Sequence, residues 1–102
     1  MSLDIAILGG DGSPKKQVSI GVDDHYRLMQ FVGEGGNLLA RLNDYYADAA
    51  FENTELDNLI LEATILRVRC RDDEALFSFL NAVVELAELA KHEQQPLLAI
   101  AD

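Results

Sequence analysis

The chain has 102 residues, the size of one domain, and 49% hydrophobic against 25% charged residues is an ordinary globular balance. Eighteen acidic residues against eight basic ones leave a formal charge of −10; this opposes binding to nucleic-acid backbones and to anionic membrane surfaces, which need clustered Lys and Arg. One cysteine, Cys70, excludes an intrachain disulfide and points to a reducing compartment.

The N-terminal stretch, with Asp4 early and no basic residues ahead of its apolar run, does not read as a signal peptide. No apolar run approaches bilayer length, so a cytoplasmic location is expected. Asp4-Ile5-Ala6-Ile7-Leu8 reads as a short strand, with burial on both faces allowed. Gly9 to Pro14 is a loop by composition. Lys15 to Val22 alternates Val18, Ile20 and Val22 with Gln17, Ser19 and Gly21, the pattern of a strand with one wet face. A hairpin joining the two strands is the economical topology.

Asp23-Asp24-His25 opens a helix, since carboxylates suit its positive N-terminal end. Tyr26, Leu28, Met29, Phe31 and Val32 supply its apolar face, and Gly33-Glu34-Gly35-Gly36 stops it. Asn37 is placed to cap a helix from Leu38 to about Ala50, with Leu38, Leu39, Leu42, Tyr45, Tyr46 and Ala49 at helical spacing. Its last turn carries Asp48 rather than a cation, which the dipole disfavours; the Tyr45–Phe51 region therefore also reads in part as a loop packed onto the core.

Asn53 or Thr54 starts the next helix, with Thr54-x-x-Asp57 as a capping box. Thr64 to Cys70 holds several β-branched residues, but Arg67, Arg69 and Arg71 suit a helix C-terminus, so the helix is carried to about Cys70. Asp72 is the expected cap of the longest helix, about 73–93. Its apolar stripe (Leu76, Leu80, Val83, Ala87, Ala90, flanked by Phe77, Phe79, Val84, Leu86 and Leu89) is wider than a surface helix needs. Such a stripe is either central to the core or also meets a second subunit. Pro96 ends the helical segment, and Leu97-Leu98-Ala99-Ile100 is a terminal apolar strand that joins the first two. The expected architecture is one α+β domain over 1–102, with a small three-stranded, mainly antiparallel sheet, order β-β-α-α-α-β, and helices packed on one face.

Few residues suggest chemistry. The glycine-rich loop lacks phosphate-loop spacing and leads into a strand, so it reads as a hairpin turn. Two histidines and one cysteine are too scattered for zinc, and no calcium loop is present; no metal or cofactor is expected. His25 beside Asp23 and Asp24 is the one acid–base grouping, yet neighbours in a helix do not face each other and no nucleophile accompanies it, so no catalytic residue is assigned. His92, near a helix C-terminus, reads as structural. Cys70 lies between two arginines that can activate a thiol, although a lone cysteine ending an apolar helix usually just packs. Arg67, Arg69 and Arg71 are expected to pair with surplus acids or the helix dipole.

The remaining constellation is the acid–tyrosine stretch. Asp44, Tyr45, Tyr46, Asp48, Glu52 and Glu55 combine aromatic anchors with charge, a composition suited to a Lys- or Arg-rich protein surface. Helical spacing by itself accounts for one of the tyrosines as core. The segment Tyr-Tyr-Ala-Asp-Ala-Ala-Phe-Glu-Asn-Thr-Glu-Leu, residues 45–56, followed by a long helix and a terminal apolar strand, resembles small bacterial immunity proteins of polymorphic toxin systems. The resemblance is one of general form over most of the chain and transfers no functional residue. It implies a non-enzymatic intracellular protein that blocks a cognate toxin by tight binding. The expected partner is a basic protein, with a homo-oligomeric structural or regulatory protein, such as a homodimer, as the alternative.

Overall fold

In the first strand, β1 (Leu3–Leu8), every second side chain (Leu3, Ile5, Ile7) is fully buried, so one face of the sheet carries the core. The computed structural model describes residues 2–33 and 37–101. Glu34, Gly35 and Gly36, part of the expected helix stop, lie outside the described residues, as do Met1 and Asp102.

β2 (Pro14–Ile20) runs antiparallel to β1, with Leu3 opposite Ile20 and Ile5 opposite Val18; a bulge at Ile7/Leu8 leaves Lys15 as the extra residue. The hairpin loop closes on itself. Gly9 N–H donates to the Ser13 carbonyl (2.8 Å), Gly12 N–H to the Gly9 carbonyl (3.1 Å), and Ser13 N–H to Asp11 Oδ1 (3.0 Å). Gly12 has φ +84°, a conformation open to glycine without strain.

The terminal strand, β4 (Leu97–Ala101), pairs antiparallel with β1 on the side away from β2. A further strand, β3 (Ala49–Phe51), pairs antiparallel with β4, Phe51 opposite Leu97, so the sheet has four strands in the order β2-β1-β4-β3. The expected three-stranded sheet is thus corrected to four. The missing strand lay in what periodicity read as helix. Only Leu38–Leu42 is helical there, as a 3-10 turn that Asn37 caps through its Oδ1 (Ala40 N–H, 3.3 Å). Asp44 then ends it: its Oδ1 accepts the Tyr46 N–H at 2.9 Å, a local bond that competes with helix. At the far end Asp48 Oδ1 accepts the Ala101 N–H at 2.8 Å, which ties β3 to β4.

The helical layer has three α-helices, α1 (Val22–Val32), α2 (Leu56–Arg69) and α3 (Glu74–Glu93). α3 lies across β2, β1 and β4 and packs against α2. Most of its wide stripe is core: Leu76, Phe79, Leu80, Val83, Leu86, Ala87 and Ala90 are buried, Val84 and Leu89 are half-buried against them, and Phe77 is half-buried. Each buried Leu or Phe stabilises the fold by roughly 1.5–3 kcal/mol. The other face of the sheet holds Asp4, Gln17, Ser19, Ala50, Leu98 and Ile100, exposed or half-buried.

Three helix starts differ from expectation. α1 has Gly21 at its N-cap, with Asp23 and Asp24 inside the first turn rather than capping it. The capping box ahead of α2 joins Glu52 and Glu55 around a short 3-10 turn, Asn53–Glu55, and not Thr54 with Asp57. α3 is capped by Asp73, whose Oδ1 accepts the Leu76 N–H (3.3 Å). Asp73 is favoured over Asp72 because it also receives Arg27 of α1, Nε to Oδ2 at 2.9 Å and Nη2 to Oδ1 at 3.3 Å. That hydrogen bonding holds the Asp73 carboxyl below its usual range and strengthens the proton hold of Arg27. Helix α2 does run through Thr64–Arg69. Cys70, just beyond it, is buried, and burial pushes its thiol pKa up.

Candidate functional site

α1 carries two apolar arcs. Leu28 is buried, with Met29 and Val32 packed against the core, whereas Val22 and Tyr26 face outward. The chain returns alongside α1 at residues 43–46. Between them runs an open groove lined by Val22, Tyr26, Met29, Gln30, Asn43 and Asp44, with His25 and the two neighbouring tyrosines completing it. Tyr26 and Tyr46 are each 67% exposed, a large apolar area for a chain this size to leave in water.

A stack of rings supports Tyr46. His25 lies edge-on to Tyr45, ring centroids 5.1 Å apart, and Tyr45 lies edge-on to Tyr46 at 5.2 Å and 89°. Tyr45 is 7% exposed and His25 is buried, so both belong to the base of the groove. His25 Nε2 lies 2.5 Å from the Leu42 carbonyl oxygen. A carbonyl only accepts, so the Nε2 proton must be present. The bond ties α1 to the end of the 3-10 turn and fixes where the loop leaves it.

Charge borders the groove. Asp44 is exposed, and with Oδ1 committed to the Tyr46 amide it keeps acceptor capacity. Asp23, three residues before Tyr26, shares its side of α1. Two exposed phenol rings beside carboxylates can hold a guanidinium or ammonium by cation–π attraction and charge, while Met29 and Val22 accept the alkyl stem.

The six residues singled out in the sequence separate. Asp44, Tyr45 and Tyr46 meet at the groove, with Tyr45 in a supporting place. Asp48, Glu52 and Glu55 hold β3 and the start of α2. Arg41 grips Glu55 with two hydrogen bonds (Nη1–Oε1 2.8 Å, Nη2–Oε2 2.5 Å), donates to the Ala50 carbonyl (3.0 Å) and lies over the Phe51 ring at 5.7 Å. Its Nη1 covers the free edge of β3, where unpaired backbone groups would otherwise be open. The Arg41 guanidinium, helped by the Glu52 amide, pulls the Glu55 carboxyl down to about 2. Its charge is thus engaged within the chain.

Tyr26, expected on the apolar face of its helix, is exposed and lines the groove with Val22 and Met29. A signal existed: Tyr26 falls off the arc shared by His25, Leu28 and Val32. Of the three arginines near the end of α2, Arg67 donates to Asn81 Oδ1 (2.6 Å), and no ion pair is seen for any of them among the described residues. Their position in and just after the last turn suits the helix dipole. Among the described residues no group of three His, Cys, Asp or Glu could hold a metal ion, and no helix is long and apolar enough to cross a membrane.

No protein-family model matches the chain, and neither a curated protein nor a solved structure matches it.

Proposed function

We propose that this chain is a non-enzymatic, acidic protein-binding module whose groove between α1 and residues 43–46 takes a Lys or Arg side chain of a basic protein. The observation that carries the reading is the pair of exposed tyrosines, Tyr26 and Tyr46, flanking one groove beside Asp44 in a chain of charge −10. Aromatic anchors supply contact area at low entropy cost, and the surrounding charge speeds encounter with a positive surface. The partner class fits the resemblance to bacterial immunity proteins, in which case the basic protein is a toxin and the compartment is the cytoplasm. The ring stack gives the site rigidity, since His25 and Tyr45 hold Tyr46 from beneath.

The test is an amide-resolved NMR titration with an arginine-rich peptide at low ionic strength. Shifts concentrated on residues 22–30 and 43–46 are expected, weakened about tenfold by Tyr46→Ala, in keeping with one desolvated cation–π contact. Shifts spread evenly over all acidic positions would sink the reading.

A second reading, a homo-oligomeric structural or regulatory protein, is favoured by one observation. Leu61, Ile65 and Val68 form an exposed apolar stripe on α2.

A further inference from the structure

α2 is apolar on two sides. Its inner side, Leu56, Leu59, Ala63 and Leu66, is buried against the rest of the helical layer. Its outer side presents Leu61, Ile65 and Val68, exposed by 58%, 52% and 58%. These fall at i, i+4 and i+7, the spacing of a helix-pairing seam. Phe31, 39% exposed, extends the apolar surface beside Ile65 across a shallow groove that also includes Glu62 and Arg69.

We infer that this face pairs with the α2 of a second copy of the chain, antiparallel, about a two-fold axis near Ile65. The direction follows from charge. α2 carries Asp57 in its first turn and Arg69 in its last, with Arg71 just beyond. Asp57 meets Lys91 at 2.7 Å but remains largely exposed, and Arg69 and Arg71 have no ion pair among the described residues. Reversing one copy brings each basic end beside an acidic start and aligns opposite helix dipoles. A parallel pair would set like ends together. Two copies at −10 repel in general, and the exposed Arg69 and Arg71 at the end of α2 offset part of that repulsion here.

The area sets the strength. A strip about 20 Å long and one helix wide is smaller than the ~800 Å² each partner gives to a standard interface. The pairing is therefore a weak, concentration-dependent equilibrium, and it is independent of the tyrosine groove.

Sedimentation equilibrium of the full chain tests it. The average mass should rise from 11.2 kDa toward twice that value with concentration. Ile65→Asp should hold the chain at the monomer mass with an unchanged far-UV spectrum, and Tyr46→Ala should associate like the parent. A parent that stays monomeric throughout, or an Ile65→Asp chain that associates equally, overturns the inference. Oxidation reports the direction: Cys70 is buried, so the introduced thiol is the accessible one. Mixed Leu61→Cys and Val68→Cys chains should cross-link to each other in preference to themselves; the reverse preference contradicts the antiparallel arrangement.

Discussion

At the scale of single residues, the same side-chain type does opposite work depending on what meets it. Tyr45 and Tyr46 are neighbours, yet one supports the fold and the other faces water. Glu55 and Asp44 are both acids in one stretch, yet Arg41 engages the first, while the second is exposed and accepts the Tyr46 N–H. Glu55 has a pH consequence. Its pKa is lowered from 4.5 to about 2, so its contribution to stability is fully present above 4.5 and is lost as the pH falls toward 2. Acid-unfolding curves should therefore separate the parent from Glu55→Gln at neutral pH and bring them together across that window, modestly, because the pair is partly solvated and screened. A gap that stays constant with pH would refute the assignment. His25 is a strut. His25→Ala leaves the Leu42 carbonyl without its donor, which costs about 1–3 kcal/mol, and denaturant melts should show the loss. Its second effect should be local, with NMR shifts at Tyr45 and Tyr46 larger than elsewhere.

At the scale of elements, what could be read in the sequence followed the range of the forces involved. The β1–β2 hairpin, the long helix α3 and the terminal strand rest on alternation, helical period and a proline, all local signals, and they lie close to where those signals put them, except that β2 ends at Ile20 and Val22, expected as its last residue, opens α1. β3 does not. It is three residues long, two of them alanine, and it exists because β4 offers a paired edge and Asp48 anchors its start. No window of sequence contains that pairing. The groove is legible to the same degree: Asp44, Tyr45 and Tyr46 stand out by composition, whereas Tyr26 enters through a packing of α1 on the 43–46 loop, some twenty residues away in the chain. α2 gives a sharp contrast between adjacent positions. Leu66 is buried and Ile65 is half exposed. Leu66→Ala should cost about 2–5 kcal/mol by opening a cavity, and Ile65→Ala should change monomer stability by no more than about 0.5 kcal/mol. Equal losses in thermal or denaturant melts would mean that α2 is rotated from its observed orientation.

For the whole molecule, the question is where ten surplus negative charges leave room for contact. The sheet and the inner sides of the helices close one core. Arg27 fastens α1 to the cap of α3, and Lys15 of the β2 bulge reaches Glu93 at the far end of α3. With a net charge of −10, the proposed function has a basic surface drawn to the molecule before any specific contact forms. In that proposal the tyrosines are what separate a specific partner from any polycation, since charge alone does not distinguish them. The most direct measurement is capture from the native host at low ionic strength, parent chain against a Tyr26→Ala/Tyr46→Ala double variant, with mass spectrometry of what rising salt releases. The account predicts one basic protein that the parent retains, that salt elutes, and that the variant fails to hold although its charge is unchanged. The same basic proteins on both chains, or no protein specific to the parent, would contradict it.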